Sequence, residues 1–525
     1  MKTGAKIVPQ SGRNNIPNNR NNIVGNKVSM FRKSFLLSLL SIFPTSFLFS
    51  QEEIVQSIAP SAWMILPFVL LLLAIALMPF INKHWWEKFY PHVAIGLGCV
   101  TLFYYFFIFG DVERVVHTGF EYISFIVLIG SLFVVAGGIH IRIKGRSTPM
   151  RNVVLLSIGA LVSNLIGTTG ASMLLIRPYI RSNKYRISGF HVVFFIFVVS
   201  NIGGALTPIG DPPLFLGYLK GIPFFWVLEN VWLEWLLTIS LVLLVFYIFY
   251  FISFKKLPDK LEHEIEAKEE EAEISGLHNI FFLFVILGSV FIQKPMFVRE
   301  VLMIAAACGS YFTTRKEIHE KNDFNFVPIK EVALLFIGIF ATMIPALQWL
   351  EVNAQSIGIT TAGQFYWGSG ALSSVLDNAP TYLNFLSASF GLFVKNDVIQ
   401  QVQQLISLHG ADFGTVAQIH SEEIRNTYTI LLKYHYDVLA AKNVSVADIQ
   451  TAFILGNHFI YIKAISLGAV FFGANTYIGN GPNFMVKSIA DQFNVHTPHF
   501  LEYVYKYSLP ILIPVFALVW WLFFA

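Results

Sequence analysis

The chain of 525 residues is 55% hydrophobic and 15% aromatic but only 13% charged, and its apolar runs repeatedly reach the roughly 20 residues that span a bilayer. This excludes a soluble globular protein, whose core could not hide segments such as 64–81, 91–109, 120–141, 233–254 and 507–525. The formal net charge of +4 comes with no basic helix or aromatic–basic platform, so nucleic acid is not a partner and membrane lipid is.

In chain order, residues 1–29 are rich in Asn, and "MFRKSFLLSLLSIFPTSFLFSQEE" from Met30 has the basic start and short apolar core of a signal peptide. Residues 1–51 are therefore a tail with a signal-like segment, an uncleaved anchor being the other reading. Residues 52–119 carry the first transmembrane segments, with loops expected at 82–91 ("NKHWWEKFYP") and 111–119 ("DVERVVHTG"). Cys99 and Cys308, far apart in apolar segments, read as packing residues.

The loop "RIKGRSTPMR", with Arg142, Lys144, Arg146 and Arg151, is strongly positive and falls on the cytoplasmic side. The next apolar segment, 152–176, runs into "RPYIRSNKYR", with Arg177, Arg181, Lys184 and Arg186, so both flanks favour the cytoplasm. A re-entrant hairpin satisfies both, with "SNLIGTTGAS" (163–172) at its tip; one helix with a Gly kink is the alternative. Residues 190–218 then cross outward and 233–254 return, which closes a first unit over 120–254. A charged cytoplasmic linker (255–278) and intervening transmembrane segments (279–328) lead to a second unit over 329–525, whose hairpin candidate, 365–392, enters from outside. Residues 394–450, polar and helix-prone, form an external insertion within it.

"GALTPIGDPP" (204–213) aligns without gaps to "GANTYIGNGP" (473–482). A polar tip precedes each copy, "SNLIGTT" and "LDNAPT", with Asn164 and Asn378 as counterparts. The fold class expected is an all-α polytopic membrane protein of two inverted-topology repeats, each with a re-entrant hairpin and a discontinuous helix, which is a transporter architecture. Gly204, Pro208, Gly210, Pro212 and Pro213 break the first helix, and Gly479 and Pro482 the second. The breaks free carbonyls and helix ends, to which Thr207 and Asp211 add oxygen ligands.

Asp211 and Asp377 are the carboxylates nearest the two motif centres. A charge at membrane depth usually lines a pathway, and a proton and a metal ion competing for one carboxylate give antiport. The alternatives are an N-cap of the following half-helix for Asp211 and a hairpin-turn cap for Asp377. Neutral ligands come from Ser163, Asn164, Thr168, Thr169, Thr207, Asn378, Thr381, Asn475, Thr476, Asn480 and Asn483, the sodium candidates being Asp211, Asp377, Asn164 and Asn378. Lys463, in "ILGNHFIYIKAISLG" beside His458, could neutralise an aspartate, bind an anion or snorkel. No cofactor is expected, only transported Na+ and H+.

With "SNLIGTTGAS", "NIGGALTPIGDPP", "SSVLDNAPTYL" and "GANTYIGNGPN" in this order, the chain resembles the ion transporter superfamily of sodium/proton antiporters, arsenite permeases, citrate–metal transporters and divalent-anion/sodium symporters. Its Asp-Pro-Pro after Gly210 is closer to a group assigned to citrate transport or sodium:proton antiport. The resemblance implies a dimerising scaffold and a transport domain that moves like an elevator, in a bacterial inner membrane. It also implies a Ser-Asn-Thr sodium and carboxylate motif at each hairpin tip. Ser163 and Asn164 match the first, with Leu165 for the Thr; at the second, Asp377 stands for the Ser beside Asn378. An acid there suits a cation better than citrate, so sodium/proton antiport is the expected function. An ion-coupled citrate or dicarboxylate transporter is the alternative, favoured if Lys463 or Arg177 faces the cavity. An intramembrane aspartyl protease using Asp211 and Asp377 is a remote one, because "PIGD" lacks the first Gly of the usual element.

Overall fold

Long apolar runs uninterrupted by charge must satisfy every backbone group internally once in lipid, and helices do so. The computed structural model describes residues 59–525 except 143–147, 185, 255–272, 293–294, 296, 413 and 415–420. The signal-like segment, Lys144, Arg146 and nearly all of the charged linker lie outside the described residues. Eight described helices are long and apolar enough to cross a membrane, and the protein is an all-α, multi-pass membrane protein. Among the described residues the one sheet is a two-stranded antiparallel ribbon, β1 (His140–Arg142) against β2 (Glu273–Ser275).

The first helices are α1 (Leu66–Ile81), α2 (Lys83–Tyr104) and α3 (Val112–Gly137). Two segments expected to be loops are helical. Asn82 caps α2 by accepting from the Trp85 amide at 3.0 Å, and Asp111 caps α3 by accepting from Arg114 at 3.1 Å, so both helices start about two turns before their apolar cores. Polar residues at those ends project a continuous helix beyond the apolar stretch. Cys99 and Cys308 are on the exposed surface, not in the packed interior.

The next helix, α4 (Pro149–Ser182), contains the residue that turns it. Gly167 has φ 78° and ψ 153°, a backbone region essentially closed to residues with a Cβ. The consequence is a helical hairpin. Asn152 and Asn183 exchange amide hydrogen bonds at 2.6 and 2.9 Å, although a straight helix would hold them some 46 Å apart.

Two half-helices follow, α5 (Gly189–Val198) and α6 (Pro212–Leu219), and then the long α7 (Trp226–Phe254). After α8 (Asn279–Val290), α9 (Val298–Thr313) and α10 (Lys316–Lys321), α11 (Val327–Asn353) packs on α2 and α3. A second hairpin is formed by α12 (Ala362–Ser373) and α13 (Asn378–Phe393), whose arms meet through Phe365 and Phe385, ring centroids 6.0 Å apart.

The insertion folds into α14 (Asn396–His409), α15 (Glu422–Tyr434), α16 (Tyr436–Ala440) and the start of α17 (Val446–Asn457). It is anchored to the start of α7, where Glu229 accepts from both Lys433 and Tyr434 at 2.6 Å. The chain then bends by 94° into α18 (Phe459–Phe472) and breaks again before α19 (Gly481–Gln492). It ends in α20 (Phe500–Tyr503) and α21 (Ile513–Phe523), joined by a π-helical stretch. The packing is reciprocal: α19 lies on the first hairpin, and α6 lies on the second.

Candidate functional site

Both breaks have the same local structure. Each half-helix passes through a short 3-10 turn, Ile202–Leu206 or Gly473–Asn475, into an extended threonine, Thr207 (φ −135°, ψ 154°) or Thr476 (φ −142°, ψ 167°). Each threonine hydroxyl then accepts from a glycine amide, Gly210 or Gly479, at 3.1 Å. The next half-helix starts after an extended residue, Asp211 (φ −137°, ψ 141°) or Asn480 (φ −153°, ψ 140°), with prolines at its first positions, where an amide hydrogen would go unused anyway. A Cβ on Gly210 would collide with the Gly204 carbonyl, and one on Gly479 would sit 2.6 Å from the Gly473 oxygen. These glycines let the chain close on itself.

Each hairpin is stitched to its own break in the same way. Thr207 donates to the Asn164 carbonyl and Thr476 to the Ser374 carbonyl, both at 2.6 Å. The Asn164 amide donates to Ala160 O and Gly203 O at 3.0 and 2.6 Å, while the Ser374 hydroxyl is set against Gly370 O and Phe472 O at 3.0 and 3.3 Å. Ser163 Oγ meets Val199 O at 2.7 Å, and Ser373 Oγ meets Ala469 O at 2.5 Å. The structural counterpart of Asn164 is therefore Ser374, not Asn378, and Ser163–Asn164 pair with Ser373–Ser374. By the same spacing Thr168 pairs with Asn378. The alignment of the two breaks holds, but the pairing of Asn164 with Asn378 does not, because Asn recurs at a shifted position in the second hairpin whereas register is set by the backbone bonds.

The two breaks meet at Asp211, which is fully buried. Its Oδ1 accepts from Thr168 Oγ1 at 2.8 Å and Asn480 Nδ2 at 3.0 Å, and its Oδ2 accepts from Asn378 Nδ2 at 2.5 Å. One carboxylate thus ties the tip of each hairpin to the second break. It makes no capping bond to α6, so the N-cap alternative fails for this side chain. Asp377 behaves in the opposite way: it caps α13, accepting from the Ala379 amide at 3.1 Å. Among the described residues no basic side chain pairs with Asp211. Lys463 is held 2.5 Å from Glu234 Oε1, and Arg177 Nε lies 3.6 Å from Asp323, so neither neutralises an aspartate of the site. Nor does Lys463 snorkel: it is 15% exposed.

The remaining candidates divide into two groups. Asn483 is structural, donating to Gly473 O and Thr476 O at 2.8 Å and accepting from Asn201 at 2.7 Å, and Thr381 donates to the Asp377 carbonyl at 3.0 Å. Asn475 donates to Ser374 Oγ at 2.9 Å, but its Oδ1, like that of Asn378, is buried without a partner. Thr169 lines a small crevice with Thr168, Pro208 and Pro212, walled on the far side by Leu128, Leu132 and Phe133 of α3. Most carbonyls expected to be free are already bonded: Ser200 by Asn480, Gly203 by Trp235, Ala474 by Tyr503 and Asn475 by Ser508. Side chains from distant helices fill that role, which the local sequence cannot reveal. Glu234, Asn201 and the Asn152–Asn183 clasp were also missed; a lone Glu within the apolar run of α7 was the signal for the first.

The family described as "Putative citrate transport" matches residues 57–524. The chain belongs to this family. A search of curated proteins returned no match. Family and helices together make it a membrane transporter.

Proposed function

We propose that the protein is a secondary active transporter exchanging sodium for protons at Asp211, in a bacterial inner membrane. The observation that carries this is a fully buried carboxylate held only by neutral donors from both hairpins and the second break. An ionised carboxylate without a cation is costly in such surroundings, so a proton or a metal ion completes it. The unpartnered Oδ1 atoms of Asn378 and Asn475 supply neutral oxygens of the kind sodium takes. In this reading Thr168, Asn378, Asn480 and Asp211 are the inner ligands. Asn164, Ser163, Thr207, Thr476 and Asn483 hold them in place, and Asp377 acts as a cap.

The matched bonds of the two halves support inverted repeats with re-entrant hairpins, and the crevice against α3 supports an elevator-like movement along that helix. A homodimer follows from the resemblance. A sodium- or proton-coupled citrate carrier is the second reading, favoured by the family description and by the helix N-termini of α6, α13 and α19 converging on the site. The aspartyl protease reading loses support, since Asp377 is engaged with its own helix and no hydrogen bond joins it to Asp211 among the described residues.

The test follows internal pH in everted vesicles on adding sodium, lithium, potassium or citrate, comparing wild type with Asp211→Asn and Asp377→Asn. Sodium-dependent proton movement that disappears in Asp211→Asn and persists in Asp377→Asn is expected. Sodium-dependent uptake of labelled citrate with no cation-driven proton movement overturns antiport.

A further inference from the structure

The wall between α3 and α6 is apolar beside the site and charged at one end. Leu128, Leu132 and Phe133 of α3 line the crevice together with Pro212 and Phe215 of α6. Apolar contact is non-directional, so such a wall lets one helix slide past the other without choosing a register. Two turns before Leu128 on α3, Glu121 meets Lys220 at the end of α6, with Oε1 and Nζ 2.8 Å apart. The Glu121 side chain is 7% exposed and that of Lys220 30%, so the acid's end of the pair is shielded. His117, one turn earlier on α3, also approaches Glu121, its Nδ1 3.4 Å from Oε1.

The half-helix α6 ties this pair to the centre. It is eight residues long, about 12 Å, with Asp211 just before its start and Lys220 just after its end. Its close packing is on the second half of the molecule. Gly217 lies so near the Tyr382 ring of α13 that a Cβ would collide with it, and Lys220 O accepts from Thr451 Oγ1 of α17 at 3.0 Å. Outside the hairpins, α6 meets α8 through Tyr218, which donates to Val290 O at 2.8 Å, and α3 through Lys220. The contact of α3 with α9 is different, a closed cluster in which Ser124, Arg299 and Glu300 satisfy one another. Among the described residues Glu121–Lys220 is thus the ion pair that joins α3 to α6.

We infer that the Glu121–Lys220 pair is a latch: it docks α6, and Asp211 with it, against α3 in the present conformation, and it opens and re-forms in each transport cycle. An ion pair holds at close range, so a shift of α6 along α3 by one helical turn, about 5.4 Å, breaks it, while the apolar wall remakes equivalent contacts one turn on. The wall supplies the track and the pair supplies the stop. This inference rests on the reading of an elevator-like movement along α3, whichever ion or carboxylate is carried.

The experiment uses the full chain in vesicles, with Cys99 and Cys308, both exposed, replaced by alanine. Two cysteine pairs are compared, Glu121→Cys/Lys220→Cys at the latch and Leu128→Cys/Phe215→Cys in the apolar wall, each joined by a cleavable thiol-specific linker. Sodium-driven proton movement and uptake of labelled citrate are both followed, so either cargo gives a readout. Joining the latch is expected to lower transport at least about tenfold, and cleaving the linker to restore it. Transport that persists with the latch joined but stops with the wall joined overturns the latch and leaves the movement standing. Persistence with both joined overturns the movement itself, and a latch variant inactive before joining makes the pair structural and overturns the latch. A second measurement joins the wall pair with Glu121 and Lys220 intact and with Glu121→Gln/Lys220→Met, which keeps side chains of similar size. Joining at least about threefold slower without the charges is expected, because α6 then spends less time docked, and equal rates overturn the latch. If the unjoined chain moves neither protons on adding sodium nor citrate, the proposed cargo is wrong, and the joining rates alone decide the latch.

Discussion

The two broken helices have nearly the same backbone and opposite chemistry. "GALTPIGDPP" ends its break on a carboxylate, and "GANTYIGNGP" puts an amide at the same φ/ψ and turns it toward that carboxylate, 3.0 Å away. The fold therefore does not require a charge at this position, since one copy is built without it. The copies differ because they meet at one point, and two carboxylates there would repel each other across a buried space. One acid and one amide leave a single carboxylate where the two breaks touch.

The largest effect should come from erasing this difference. Asp211→Asn is expected to lower ion-driven transport by roughly two orders of magnitude or more, and to destabilise by about 1–3 kcal/mol because the amide nitrogen cannot accept from the donors that face both carboxylate oxygens. Asn480→Asp places two acids together and should also impair transport, and the double exchange should recover part of what either single change loses. Vesicle transport and the yield of folded protein in detergent check all three. Full activity in Asp211→Asn would break the comparison.

Backbone closure separates the copies less sharply. Gly210→Ala drives a methyl into the Gly204 carbonyl and is expected to destabilise by about 3 kcal/mol, whereas Gly481→Ala meets nothing within 4 Å at the start of α19 and should be neutral or gain a few tenths of a kcal/mol. Thermal melts of the two variants make the check, with a clear loss expected for Gly210→Ala and none for Gly481→Ala. A smaller loss, about 1–3 kcal/mol, is expected from Asn152→Ala, which leaves the Asn183 amide without its reciprocal partner at the base of the first hairpin.

The smallest effect lies in the insertion, away from the apolar spanning helices. Burial lowers the His435 pKa below its ordinary value of 6.5, with the Asp448 carboxylate opposing, so the insertion holds His435 neutral. Because the folded value is depressed, this contribution is complete above pH 6.5 and is lost as pH falls through the folded value. Limited proteolysis should cut the insertion faster at pH 5 than at pH 7, and His435→Gln should flatten that dependence.

Much of the site was legible because helix breakers and acids are rare inside apolar runs, so "PIGDPP" and "LDNAPT" identify themselves. What could not be read was their pairing. Asn378 was expected to match Asn164, but the backbone places it opposite Thr168, where it holds Asp211. Asp211 and Asp377 were expected to share one role, and only packing separated a buried acid gripped by three neutral donors from a helix cap. The helical starts of α2 and α3 were missed because charge marks the edge of the bilayer, not the end of a helix.

By itself the sequence determined that this chain spans a membrane many times and breaks two helices at related motifs, since hydropathy, proline and glycine act locally along the chain. Tertiary structure decided which acid is gripped by neutral donors, which lysine is already paired and which carbonyls are taken. Those outcomes depend on residues up to 282 positions apart, such as Asn201 and Asn483, being brought within hydrogen-bond reach, and no local pattern encodes that distance.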